Sequence, residues 1–264
     1  MRAARPCPIR ARNQDQALQN TAADAIGETG PVAVRSTFML RVFYAFAALA
    51  LLSAGISVAG KWAGHGIAMA GHSDDRTVRE VVIGNDVLAV PANMIRFEAS
   101  RRNGVASRLD LYVRWPQLDG YSQGARDDFN HTGGARSILF LTFDERIMSR
   151  DMSGRYEPIY KALVAGRGRA GPAGLKVYPF SAKSGYVDEV LIVGEAGSPT
   201  GKPFVARCLT GEAARQSLAP CERDIHVGEG LNLVYRMPAE LAGSWREIDA
   251  AVRSLTESFL QTSR

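Results

Sequence analysis

Residues 42–60 read VFYAFAALALLSAGISVAG, and this stretch decides how the rest of the chain is organised. No charged side chain lies between Arg41 and Lys61, and only Tyr44, Ser53 and Ser57 carry polar groups. At a rise of about 1.5 Å per residue the segment spans roughly 28 Å as a helix, close to the hydrocarbon thickness of a bilayer. A helix in a soluble core would show polar positions every three or four residues. The pattern therefore predicts a membrane-spanning helix over residues 38–61. The rival reading is a cleaved signal peptide: Ser57, Val58 and Ala59 offer small residues at the cleavage positions, and a start at Met39 would give the short basic leader MLR. The apolar run is longer than a usual signal core, and 41 residues precede it in the chain, which favours an uncleaved anchor. Either reading exports residues 62–264.

Charge fixes the orientation. The chain has 264 residues, 32 Lys and Arg against 27 Asp and Glu, and a net charge of +5. Arg2, Arg5, Arg10, Arg12, Arg35 and Arg41 precede the apolar run with only Asp15, Asp24 and Glu28, whereas residues 62–264 are nearly neutral. Basic residues beside a spanning helix stay in the cytoplasm, so the N-terminus is expected inside and the large C-terminal part outside. Tyr44 and Trp62 fall at the two ends, where amphipathic rings favour the headgroups. Small residues at Ala47, Ala50, Ser53, Ala54, Ser57, Gly60 and Gly64 form a stripe that would let two such helices pair as a homodimer, although Ala-rich anchors carry such spacings by chance as well. The exported part offers no global electrostatic case for nucleic acid. At 46% hydrophobic and 22% charged the chain as a whole is neither disordered nor collagen-like.

Working outward gives four segments. Residues 1–37 are polar and without apolar periodicity, a disordered cytoplasmic tail. After the helix, residues 62–76 carry three glycines and read as a flexible stalk. Residues 77–264 should form the folded domain. Within it, VREVVIGNDVLAVP reads as a hairpin turning at Gly84, Asn85 and Asp86. In SRLDLYVRWP, Leu109, Leu111, Val113 and Trp115 alternate with Asp110, Tyr112 and Arg114, which predicts a half-buried strand. RSILFLTFD predicts a strand buried on both faces. A helix is expected after Ser153, and strands over LKVYPF, YVDEVLIVGE, PFVARC and GLNLVYRMP. From Ala239 on, Leu241, Trp245, Ile248, Val252, Leu255 and Phe259 recur at spacings of three and four, an amphipathic helix started by Pro238. LDLYVRWP and LNLVYRMP share Leu, Leu, Arg and Pro at matching positions, an internal echo of two strands that end at proline.

Of three cysteines, Cys7 lies in the tail, while Cys208 and Cys221 lie in the exported part and are expected to form a disulfide in an oxidising compartment. No CxxC or metal-ligand spacing is present, and neither a metal nor any other cofactor is implied. GRGRAG at residues 166–171 has the form GxGxxG but sits between a helix and a strand, the reverse of a dinucleotide fingerprint, and reads as a loop. No GxSxG, HExxH, P-loop or SxxK occurs, so no catalytic residue is assigned. His65 and His72 fall in the stalk and are expected in solvent. Asp127, Asp128 and His131, in ARDDFNHTGG, are the one cluster that would serve an exported hydrolase. Tyr112, Arg114, Tyr121 and Arg126, with Tyr156, Tyr160, Tyr178 and Tyr186, supply residue types that anchor interfaces, and the first four are the candidate partner-binding residues.

VLAVPANMIRF at residues 87–97, LDLYVRWPQLDGY at 109–121 and CERDIHVGEGLNLVYRMPAELAGSWREIDAAVRSL at 221–255, behind an N-terminal anchor, resemble uncharacterised single-pass membrane-anchored proteins of alphaproteobacteria. The resemblance spans most of residues 40–260. It implies a periplasmic domain and brings no activity, catalytic residue or cofactor. The resulting expectation is an inner-membrane protein with a periplasmic α+β domain, mainly antiparallel sheet closed by the C-terminal helix. Its function would be to bind an envelope protein or a cell-wall glycan, with the hydrolase as alternative.

Overall fold

The computed structural model describes residues 36–69, 71–134, 136–195 and 201–261. The expected tail and Cys7 lie outside them. The chain divides into two compact units after Gly64. Helix α1, Ser36–Met69, contains a continuous apolar stretch, Thr37–Gly60, long enough to cross a bilayer. Phe43, Phe46 and Ile56 are exposed on it, so it presents no polar face. The helix runs beyond Lys61 through the first part of the glycine-bearing segment.

The domain is α+β. Among the described residues eleven strands form two sheets. The small sheet has β1 (Val78–Ile83) between β2 (Asp86–Pro91) and the two-residue β3 (Gly104–Val105). Its β1–β2 hairpin turns where the sequence places it, with Gly84 at φ +59°, a conformation that a Cβ disfavours. The large sheet contains β4 (Arg108–Arg114), β5 (Ile138–Glu145), β6 (Arg169–Ala170), β7 (Lys176–Pro179), β8 (Glu189–Gly194), β9 (Phe204–Leu209), β10 (Cys221–Val227) and β11 (Leu231–Met237). The order is β4-β5-β11-β10-β9-β8-β7-β6, antiparallel throughout. The two echoing segments, β4 and β11, both flank β5, each reading in the same direction.

Period-two alternation gives the large sheet two unlike faces. Leu109, Leu111, Leu141, Phe143, Leu233 and Ile192 point to one face and pack with the small sheet and with helix α5, Trp245–Phe259, into the main core. Helix α5 buries Trp245, Ile248, Val252 and Phe259, the positions its periodicity marks. Pro238 starts a 3-10 turn, Ala239–Ser244, and the α-helix comes directly after it. Asp86, fully buried, accepts from the Glu229 amide at 3.2 Å and the Gly230 amide at 2.8 Å, tying the small sheet to the β10–β11 turn.

Strand β10 is absent from the sequence-based expectation because its core-facing row contains an arginine. Arg223 is buried between Cys221 and Ile225. Its Nε donates to Asp249 Oδ1 of α5 at 3.0 Å, and its Nη1 donates to Ser153 Oγ at 3.0 Å and the Val205 carbonyl at 2.8 Å. The Tyr235 hydroxyl donates to the same carboxylate at 2.8 Å and Arg253 Nε at 3.1 Å. Strands β9 and β10 pair only at Cys208 with Cys221 and Arg207 with Glu222, then separate. The Arg223 guanidinium occupies that divergence and supplies the donor that the Val205 carbonyl would otherwise lack. Cys208 and Cys221, directly opposite each other in this short ladder, bring their sulfurs to 2.09 Å.

Candidate functional site

The other face of the sheet is polar in its middle and aromatic at both ends. Register places Asp110 opposite Thr142, Asp144 opposite Asn232, and Glu222 opposite Arg207. Each polar group has a neighbour of the right chemistry. Arg108 donates twice to Asp110, at 2.8 and 2.7 Å, and Thr142 Oγ1 donates to Asp110 Oδ1 at 2.8 Å. Burial alone would raise the Asp110 carboxyl, but these hydrogen bonds outweigh it and hold it below the ordinary aspartate range. Asn232 donates to Asp144 at 3.0 Å. Arg207 is held by Glu222 and, at 3.4 Å, by Glu189.

At the β8–β9 end, Met152, Tyr156, Tyr160, Leu191, Val193 and Val205 form a second apolar cluster, with Phe180 and Tyr186 stacked at 4.2 Å beside it. What covers this end is the expected helix after Ser153, in a different form. Tyr156–Tyr160 is a π-turn in which the Tyr160 amide donates to the Arg155 carbonyl at 3.1 Å, five residues back. Pro158 has no amide to give an ordinary α-helical turn, and the chain widens around it, continuing into α3, Lys161–Leu163. The widened turn sets Arg155 and Tyr160 over the sheet. Arg155 pairs with Asp224, and its guanidinium lies 5.8 Å from the Tyr160 ring; that of Arg207 lies 5.0 Å from Tyr186. Burial raises the Asp224 carboxyl despite Arg155, and burial pushes the Tyr160 hydroxyl up to about 12.

These groups enclose a cavity of about 220 Å³, lined by Arg155, Tyr160, Tyr186, Arg207, Asp224 and Val234 among others. At its rim stand Ile147 and Met148. Ile147 is 94% exposed and Met148 59% exposed, in a loop directly after β5. A second, larger cavity of about 470 Å³ is lined by Ser149, Arg150, Asp151, Gly154, Lys202, His226 and Arg253.

The sequence-marked residues fall differently. Tyr112 and Tyr121 are buried, not on a solvent face, because helix α2 (Arg126–Phe129) and His72 cover this end of the sheet. His72 is docked rather than solvated: its ring stacks on Tyr121 at 4.7 Å and its Nδ1 lies 3.0 Å from the Tyr112 hydroxyl. Burial lowers its pKa, against an opposing hydrogen bond from Asn130. Arg114 is taken up by Asp119 and Asp128, each at 3.0 Å, while Arg126 is exposed. Asp127 is exposed and Asp128 is committed to Arg114, so the two carboxylates serve different surroundings, and neither they nor His131 line either cavity. No group of His, Cys, Asp and Glu able to hold a metal occurs among the described residues. GRGRAG ends in strand β6, not in a helix. Residue type alone marks Tyr160 and Tyr186 in the sequence, but it does not single out Arg155, Arg207 or the Ile147 and Met148 tip. Two adjacent apolar residues in the otherwise polar RIMSRD loop are the available signal.

The sequence matches no protein-family model and no curated protein. Among solved structures, the chain is similar to Smlt3025, an immunity protein of the Stenotrophomonas maltophilia type IV secretion system, at 11% identity and a TM-score of 0.47, over 70% of this chain and 94% of that one. It is also similar to the iron-regulated outer membrane lipoprotein FrpD of Neisseria meningitidis, at 10% identity and a TM-score of 0.42, over 72% of this chain and 95% of that one.

Proposed function

We propose that the chain is an anchored protein-binding module of the cell envelope. In this reading α1 holds it in the inner membrane as a single-pass anchor, with the arginine-bearing N-terminus in the cytoplasm and the domain in the periplasm. The positive flank of the apolar run and a cysteine pair suited to an oxidising compartment support that placement. The domain then meets another envelope protein through the polar face of the large sheet. The observation that carries this is the exposed pair Ile147 and Met148, standing over Arg155, Arg207 and two tyrosines. Met, Arg and Tyr are enriched at the centres of protein interfaces, and an aliphatic tip left in water is what a partner pocket would cover. A cell-wall glycan is the weaker fit. Sugars stack on free ring faces, whereas Tyr186 is half-buried with its ring against Phe180 and Tyr160 is buried.

A photo-crosslinking amino acid placed at residue 147 in intact cells tests the reading. A discrete protein adduct is expected, weakened by Arg207→Glu, with none from the same probe at Val105, an exposed position on the small sheet. Identical adducts from both positions, or none from residue 147, would overturn it.

A further inference from the structure

The larger cavity has a different character from the partner-binding face, although one loop contributes to both. Ile147, Met148 and Arg155 line the first cavity, and Ser149, Arg150, Asp151 and Gly154 the second. Likewise Asp224 faces the first, and His226, the next residue on the same side of β10, faces the second. Its charges do not cancel. Arg150, Lys202 and Arg253 supply three cations against the single carboxylate of Asp151, a lining charge of +2 with His226 neutral. Arg150 and Lys202 are exposed and form no ion pair among the described residues. Asp151 spends one carboxylate oxygen on the Gly154 amide at 2.8 Å, and Arg253 uses its Nε on Asp249. His226 brings a buried ring nitrogen, Nε2, that has no hydrogen-bond partner among the described residues. A buried polar atom left unmatched costs about 1–3 kcal/mol, so its place on the lining of a cleft rich in cations needs an account.

We propose that this cleft binds a phosphomonoester, carried either by a small organic phosphate or by the headgroup of a phosphatidic-acid-type lipid. Arg and Lys donors on one lining, with a net charge near +2, complement a group that carries close to two negative charges and three acceptor oxygens. A carboxylate supplies one charge and two oxygens and leaves donors idle. A metal cation is repelled. A volume of about 470 Å³ takes a phosphate together with part of the molecule that bears it. Arg150 and Lys202 give the charge, Arg253 is positioned by its bond to Asp249, and Ser149 stands on the same lining to hydrogen-bond a remaining oxygen.

The test uses the full chain in nanodiscs of zwitterionic lipid, titrated calorimetrically with inorganic phosphate. One saturable site is expected. The double variant Arg150→Gln/Lys202→Gln should bind about tenfold more weakly or not at all. Both side chains are exposed and in no ion pair among the described residues, so the variant should melt with the parent, which circular dichroism checks. The control Arg215→Gln, on the exposed surface of helix α4, Gly211–Gln216, and paired among the described residues with Glu212, should bind as the parent does. Absence of saturable binding, or equal weakening by the control, would overturn the site. Repeating the titration in discs containing phosphatidic acid separates the sources: a fall in the parent's phosphate affinity identifies the headgroup, and an unchanged affinity identifies a soluble phosphate. Crosslinking at residue 147 does not depend on this cleft, so either result stands without the other.

Discussion

Replacing Asp249 with alanine probes the buried network that closes the core. The carboxylate accepts from Arg223 at 3.0 Å, Tyr235 at 2.8 Å and Arg253 at 3.1 Å, and both Arg223 and Asp249 are wholly shielded from solvent. Removing one partner of a buried ion pair strands the other charge, which costs about 3–5 kcal/mol. For a domain of this size 1 kcal/mol moves the melting temperature by about 2–4 °C, so a fall of roughly 10 °C is expected by circular dichroism. Exposed Glu247→Ala, two residues away on the same helix, should stay within about 2 °C on the same arithmetic. The double replacement Arg223→Met/Asp249→Leu should recover only part of the loss, because it removes the stranded charge but leaves the Val205 carbonyl and the Tyr235 hydroxyl without the partners they have in the parent. Acid should act on the same pair. Burial alone would raise the Asp249 carboxyl, but Arg223, Arg253 and the Tyr235 hydroxyl hold it below the ordinary aspartate range. A carboxylate with a lowered folded pKa stabilises the fold fully above its unfolded value, near 3.9, and loses that contribution as pH falls through the folded one. The melting temperature of the parent should therefore drop more steeply below about pH 4 than that of Asp249→Asn. If Asp249→Ala melts with Glu247→Ala, the network is not part of the fold's stability and the account of β10 fails.

Local geometry sets three further outcomes. Docking of His72 on Tyr112 and Tyr121 favours the neutral ring, so its contribution is complete above the unfolded pKa near 6.5 and is lost as pH falls below it; chemical shifts of His72 should report release on acidification. A Cβ on Gly194 would lie 2.6 Å from Trp245, so Gly194→Ala should destabilise by about 1–3 kcal/mol in urea unfolding. Peptide mass mapping without reductant should recover Cys208 joined to Cys221, and opening that loop should cost on the order of 3 kcal/mol.

Much of the fold is legible in the sequence because burial and backbone period agree. Leu109, Leu111 and Val113 alternate in sequence and are all buried, and the helical spacing of Trp245, Ile248 and Val252 lands on the core. The features that escape it share a cause: the matching partner is far away in the chain. Arg223 breaks the apolar row of β10, and its justification sits 26 residues later at Asp249. Tyr112 alternates onto the polar face as expected but is covered by Phe129 and, from 40 residues upstream, by His72. The candidate site shares this property, since Arg155 and Arg207 acquire meaning only when a proline-widened turn is laid over β9 and β10. The charges of residues 127 and 128 look like chemistry in a local window, yet Asp128 answers to Arg114.

The ends of the large sheet bear on how the protein tolerates crowding. Strand β6, at one edge, is two residues long. At the other edge β4 is partly occupied by its own chain: Ile95 bridges to Leu111 and the Arg96 amide donates to the Asp110 carbonyl at 2.9 Å. Neither rim offers a neighbour a long row of vacant backbone groups. A protein tethered to a surface meets its own copies far more often than one free in solution, and a bare rim would invite strand-by-strand polymerisation there. With one rim short and the other partly occupied, copies of the domain at high local density have little free edge to pair through.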